Sequence, residues 1–198
     1  MTTKVLRLFV AFALFAFTSV AFAQNLVENG SFQTGDFSDW TVSGDTTLIG
    51  VCSADTCPGG FAPYDGDQYA GYFGPVGDTA TISQMIPTTP GDTLTLNFYL
   101  ANPVGGTPNY FSASLGTSSF SFSNFGVAFN WQEFTLTTVA TSDETQLSFT
   151  FRNDPAYWFL DSVSVTESSS TVPEPSSILL LGSGLLGVAG IARRKFRL

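Results

Sequence analysis

Between residues 92 and 101 the chain alternates without a break. Leu94, Leu96, Phe98 and Leu100 fall on one side, with Thr93, Thr95 and Asn97 on the other. A period of two marks a β-strand with one buried face, whereas helical apolar positions recur about every 3.6 residues. The alternation returns in residues 145–152, where Leu147, Phe149 and Phe151 oppose Gln146, Ser148 and Thr150, and in residues 131–140 around Phe134 and Leu136. Shorter strand candidates lie at 46–51, 68–73, 80–86, 110–115, 118–122 and 158–166, separated by Gly, Pro and Asn-Asp punctuation. No stretch of the body sustains a helical period. About ten short strands without a helix imply an all-β fold, an antiparallel β-sandwich of jelly-roll type.

The two ends do not share this pattern. Lys4 and Arg7 precede an apolar run from Leu8 to Val20, and Ala21-Phe22-Ala23 gives the small-x-small signature of signal-peptide cleavage. Residues 1–23 are therefore expected to be a signal peptide, cut after Ala23. At the other end, a polar linker (168–172) leads into Pro173-Glu174-Pro175, and the apolar run Ile178–Ala192 follows. The last six residues, 193–198, hold four basic side chains. Fifteen apolar residues make a helix of about 22 Å. That is short against a hydrocarbon core of about 30 Å, so the expected transmembrane helix extends over about 177–192. The basic tail places the C-terminus in the cytoplasm and the sandwich, residues 24–167, outside.

Charge narrows what the body can touch. Between residues 24 and 172, Arg152 alone stands against fifteen Asp and Glu, a formal charge of −14. Such a surface is repelled by phosphate backbones, so no nucleic acid is expected as a partner. The chain has no histidine, which removes Ser-His-Asp and Cys-His catalysis, and the body has no lysine for a P-loop or Schiff base. The carboxylates lie mostly in turns and outside any catalytic motif, so no catalytic residue is assigned. Cys52 and Cys57, the only cysteines, are expected to form a disulfide closing a small loop, contributing roughly 2 kcal/mol on a chain-entropy model.

The tail resembles the PEP-CTERM sorting signal of Gram-negative bacteria, with Pro173, Glu174 and Pro175 as the sorting motif, then a Gly- and Leu-rich helix and an Arg-rich end. The resemblance implies recognition by an exosortase after export by the Sec machinery. It also implies transient anchoring in the inner membrane and a final place on the cell surface or in an exopolysaccharide-rich biofilm matrix. The body opens Asn29-Gly30-Ser31-Phe32-Gln33-Thr34-Gly35-Asp36-Phe37-Ser38-Asp39-Trp40 and closes Phe159-Leu160-Asp161-Ser162-Val163. Both stretches resemble galactose-binding-like and carbohydrate-binding-module jelly rolls. Gln33 stands where that family usually has Glu, and Ser162 where it has a second Asp. Several such modules hold a structural calcium near that Glu and the terminal-strand Asp.

Candidate ligand contacts follow from these residues. In strand 158–166 the alternation puts Asp161 on one face with Phe159, Val163 and Val165, where a carboxylate must be paired, hydrogen-bonded or metal-bound. Arg152, backbone N–H groups and a calcium ion are the open alternatives. Gln33, Asp161, Asp65 and Asp67 are the candidate calcium positions, and calcium is the one cofactor considered. Sugar rings need flat aromatic faces beside polar groups, and Tyr72, Tyr110, Trp131, Tyr157 and Trp158 can supply them. Trp158 lies out of phase with Phe159 and is expected to face outward, whereas Trp40 belongs to the core. The reading favoured is an exported, non-catalytic glycan- or exopolysaccharide-binding sandwich. The alternatives are a structural or adhesive matrix protein without a specific ligand and, third, a two-carboxylate glycoside hydrolase.

Overall fold

The computed structural model describes residues 24–64, 68–154, 156–169 and 182–185. The signal peptide, Asp65, Asp67 and the Pro-Glu-Pro motif lie outside the described residues. Residues 182–185 form one helical turn within the apolar stretch. Among the described residues no helix is long and apolar enough to cross a membrane.

The strands are β1 (Thr41–Gly44), β2 (Ile49–Cys52), β3 (Ala70–Phe73), β4 (Ala80–Pro87), β5 (Thr93–Asn102), β6 (Asn109–Leu115), β7 (Ser118–Ser123), β8 (Phe129–Val139), β9 (Glu144–Asn153) and β10 (Trp158–Ser168). They form two five-stranded sheets, ordered β1-β4-β9-β6-β7 and β2-β3-β10-β5-β8, here called the first and second sheets. Every pairing is antiparallel. The architecture is the expected β-sandwich. The unanticipated strand is β1, four residues of which only Val42 packs on the core, too few to show an alternation.

The inner faces meet in a phenylalanine-rich core. Phe98, Phe111, Phe149, Phe151 and Trp158 are each fully buried, and Phe73 stacks on Phe151 at 3.9 Å between ring centroids. Trp40 packs against Phe149, as its core assignment requires. The outer face of the first sheet is built differently. Thr41, Ser83, Ser148, Ser114 and Ser119 are register partners across all five strands, and Ser43, Thr81, Thr150, Ser112 and Ser121 make a second row. Lateral bonds join Thr81 to Thr150 (2.9 Å) and Ser114 to Ser148 (2.8 Å). Cross-strand hydroxyl pairs of this kind keep a pleated face wettable without charge.

Strand β10 departs from the alternation expected for it. Its register against β5 slips between Asp161 and Ser164, and Ser162 adopts a φ of 50°. This β-bulge inserts one extra residue and reverses the phase. Val163 and Val165 therefore point into the core, while Phe159 joins a separate cluster outside it with Ala101 and the two cysteines. Trp158 faces inward, fully buried, with its indole N–H donating to the Arg152 carbonyl at 3.0 Å, so it presents no face to a ligand. Arg152 is not the partner of Asp161. Its guanidinium forms a two-bond pair with Asp154, both bonds 2.7 Å.

Phe149 touches aromatic neighbours from both sheets. Phe149→Ala is expected to lower the unfolding free energy by about 3–5 kcal/mol in urea titrations. A loss below about 1 kcal/mol would mean that this ring is not part of the packed centre.

Candidate functional site

The outer face of the second sheet is aromatic where that of the first is hydroxylic. Register sets it out in two rows: Tyr72, Phe159 and Ala101 are partners across β3, β10 and β5, and Asp161, Tyr99 and Glu133 across β10, β5 and β8. The segment after β2 folds back over this face. Its start is clipped by the Cys52–Cys57 disulfide, as expected from the spacing. Phe61 then lands over the small Ala101 position, 4.7 Å from Phe159 and 5.4 Å from Trp131 between centroids. Tyr64 stacks on Tyr99 at 3.5 Å. Two hydrogen bonds pin the segment: Trp131 Nε1 donates to the Ala62 carbonyl (3.0 Å), and the Tyr64 N–H donates to Asp161 Oδ2 (3.0 Å).

Beside this pinned segment lies a groove of about 420 Å³ lined by Pro58, Gly59, Phe61, Pro103, Val104, Ala156, Tyr157 and Phe159. Tyr157 is set edge-on to Tyr72 at 5.7 Å. Both rings lie close to the backbone because glycine stands beneath them. A Cβ on Gly74 would come within 2.6 Å of the Tyr157 ring, and one on Gly50 within 2.6 Å of the Tyr72 hydroxyl oxygen. Among the described residues, the groove walls carry no carboxylate, amine or guanidinium. Hydrogen bonding with Tyr64, helped by burial and the Glu133 charge, pushes the Tyr99 hydroxyl up to about 12. Such a site offers stacking surface and neutral hydroxyls.

Of the aromatics expected at a ligand, Tyr72, Trp131 and Tyr157 come together here. Tyr110 does not: it sits on the outer face of the first sheet, in register with Arg152. Phe61, Tyr64, Tyr99 and Phe159 were not anticipated. Tyr99 had a signal, an aromatic in the polar phase of β5, whereas Phe61 lies in a loop with no periodicity to read.

Of the positions where the resemblance implies a structural calcium, Asp65 and Asp67 lie outside the described residues, and Gln33 and Asp161 have protein partners. Gln33 is exposed and turns its amide onto the Ser31 carbonyl at 2.6 Å. Asp161 is fully buried, its carboxylate accepting the N–H of Tyr64 at 3.0 Å and of Ser162 at 2.7 Å. Backbone N–H groups are thus partners of Asp161, whereas Arg152 bonds Asp154 instead. Among the described residues no group of three or more His, Cys, Asp or Glu could hold a metal ion.

Residues 171–195 match the PEP-CTERM protein-sorting motif. No curated protein matches the chain in sequence. The sandwich is similar in fold to TmCBM61, a structure solved in complex with β-1,4-galactotriose, at 18% identity and a TM-score of 0.56 over 74% of this chain and 100% of that one. It is also similar to the enzymatically active domain of tailspike protein 4 of bacteriophage CBA120, at 18% identity and a TM-score of 0.55 over 73% of this chain and 21% of that one. The chain thus pairs a stretch matching the PEP-CTERM sorting motif with a β-sandwich whose fold is similar to that of a carbohydrate-binding module.

Three loop carboxylates contribute to the acid sensitivity of this fold. Arg152 holds Asp154 down to about 2, and hydrogen bonds from Ser38 and from Thr47 hold Asp36 and Asp45 below the usual range. Depressed folded-state values mean stability that is complete above the unfolded value of about 4 and lost as pH falls from there toward about 2. Thermal melts across that window are expected to fall with pH, and less steeply in Asp154→Asn.

Proposed function

We propose that this is an exported, exosortase-sorted surface protein whose sandwich binds glycan and does not cleave it. The observation that carries the reading is the second aromatic cluster, Phe61, Tyr72, Trp131, Tyr157 and Phe159, assembled outside the core beside a groove whose described walls carry no charge. Pyranose rings present apolar C–H patches bordered by hydroxyls, and partly exposed aromatic rings flanked by tyrosine hydroxyls complement them. The fold likeness to a galactotriose-bound module supports the same assignment. The charge of the body favours a neutral chain over a uronate or sulfated one.

The sorting motif supplies the address. Pro173, Glu174 and Pro175 are read as the exosortase recognition element, with the following apolar stretch as a transient anchor after Sec-dependent export. The final location is then the surface or matrix of a Gram-negative cell, where exopolysaccharide is the glycan at hand.

Co-sedimentation of the purified full chain with neutral polysaccharides and with the producing cell's exopolysaccharide tests this. Retention is expected, equal in calcium and in EDTA, and weakened at least about tenfold by Tyr157→Ala with the melting temperature unchanged. Retention that EDTA abolishes would move the contact onto a bound cation. No retention on any glycan would leave an exported matrix protein without a sugar ligand.

A further inference from the structure

Each sheet ends in two edge strands: β1 and β7 in the first, β2 and β8 in the second. An open edge presents unpaired N–H and C=O groups, and soluble domains blunt it with short strands, charge, proline or bulges. Three of the four edges here are blunted. β1 and β2 have four residues each, β1 followed by Asp45 and β2 ending in the disulfide. β8 carries Glu133 and breaks register against β5 between Leu100 and Asn102. β7 has none of these devices. It contains no charge and no proline, keeps an unbroken register against β6, and among the described residues pairs with no other strand.

The register fixes which groups this edge offers. The two-residue turn Gly116-Thr117 closes on Leu115 and Ser118, and bonded pairs alternate from there. The main-chain groups of Ser119, Ser121 and Ser123 therefore face away from β6. All three side chains are exposed, and Ser119 and Ser121 end the two hydroxyl rows of the first sheet. Phe120 and Phe122 point the other way, toward Phe134 of β8 at 5.6 and 5.8 Å between centroids, and both are only half-buried.

Charge and register together select the occupant. No Asp, Glu, Lys or Arg occurs between residues 93 and 132, although the body has a formal charge of −14. Two copies of so acidic a body repel across most approaches, and β7 lies in the part of the chain where they meet without a carboxylate. An antiparallel partner centred on Ser121 sets Ser121 against its own copy, Ser119 against Ser123 and Phe120 against Phe122. Opposed residues then share a face, all three outward serines exchange main-chain bonds, and rings meet rings on the inner side. A strand that is its own complement suits the isologous contact of a twofold dimer.

We propose that β7 is the pairing edge of a homodimer, in which the first sheets of two copies join through Ser118–Ser123 into one continuous sheet with its twofold axis at Ser121.

The test measures the mass of the full chain in detergent by sedimentation over a range of concentrations. The native chain is expected to be a dimer that dissociates on dilution. Ser121→Glu and Ser121→Lys each set like charges against one another at the axis. Each should weaken association at least about tenfold, with the melting temperature unchanged because position 121 is exposed. Mixed in equal amounts, the two variants should associate again, since opposite charges then face each other. Ser43→Lys, on the opposite edge of the same sheet, should leave the dimer intact. The apolar C-terminal stretch is common to every variant, so a dimer held by it would survive both substitutions at position 121. The proposal is overturned by a native monomer, by a dimer that survives those substitutions, by a mixture that stays monomeric, or by loss of the dimer in Ser43→Lys.

Discussion

One extra residue in β10 sets the geometry of everything outside the core. Without the bulge at Ser162, Phe159 and Asp161 would share a face with Val163 and Val165, and a buried carboxylate would sit among core aliphatics. With it, the aliphatics stay inside and the strand's first half turns outward to meet the segment that crosses the second sheet. The buried Asp161 carboxylate is then tolerable because two backbone N–H groups solvate it in place of water. One of those donors belongs to Tyr64, so satisfying the acid also fixes where the crossing segment lies, and with it Phe61. The residue just past the bulge, Val163, bonds Gly30 and so ties the N-terminal loop to the same irregularity. Loop, bulge and groove are one mechanical unit.

The two outer faces show how a strongly acidic chain can present surfaces of low charge for different ends. The rows of Ser and Thr on the first sheet bond to one another and to water, and they offer no apolar area for a ring to cover. The second sheet gives up that wettability at one end, where rings from four separate segments crowd over Ala101. Apolar area left outside a core on a small domain is costly unless something covers it. The crossing segment covers part of it through Phe61. The rest lines the groove, where Val104 is 68% exposed. A ligand with its own apolar patches completes that burial; a purely hydroxylic surface such as the first sheet's would have nothing to gain from one.

Much of the fold was legible because burial on one side of a sheet forces a two-residue period, and β5 and β9 keep it for their whole length. The candidate site was legible only in part. Tyr72, Trp131 and Tyr157 could be picked as sugar-stacking types, but which side of the sandwich each would occupy depended on strand phase. Phase fails at a bulge: the alternation around Ser162 is continued by apolar residues on both sides, so nothing in the sequence marks the slip, and both Trp158 and Asp161 were assigned to the wrong face. Phe61 and Tyr64 were invisible for another reason. Their positions are fixed by hydrogen bonds to Trp131 and Asp161, which are 69 and 97 residues away along the chain. Tyr110 chose the opposite face through its pairing with Arg152, a contact that becomes meaningful only once the order β9-β6-β7 is known.

The pinning of the crossing segment also bears on how binding should respond to its surroundings. Neither hydrogen bond that holds it pairs two charges: one joins an indole to a carbonyl, the other an amide to a carboxylate inside the fold. Salt screens exposed charge pairs strongly and buried hydrogen bonds little. The described walls of the groove carry no charge to screen. A site assembled this way keeps its shape as ionic strength changes, even though the acidic exterior that surrounds it does not keep its potential. If the sandwich binds glycan outside the cell as proposed, where salt is set by the environment, recognition through stacking and neutral hydrogen bonds is separated from the charge of the acidic exterior.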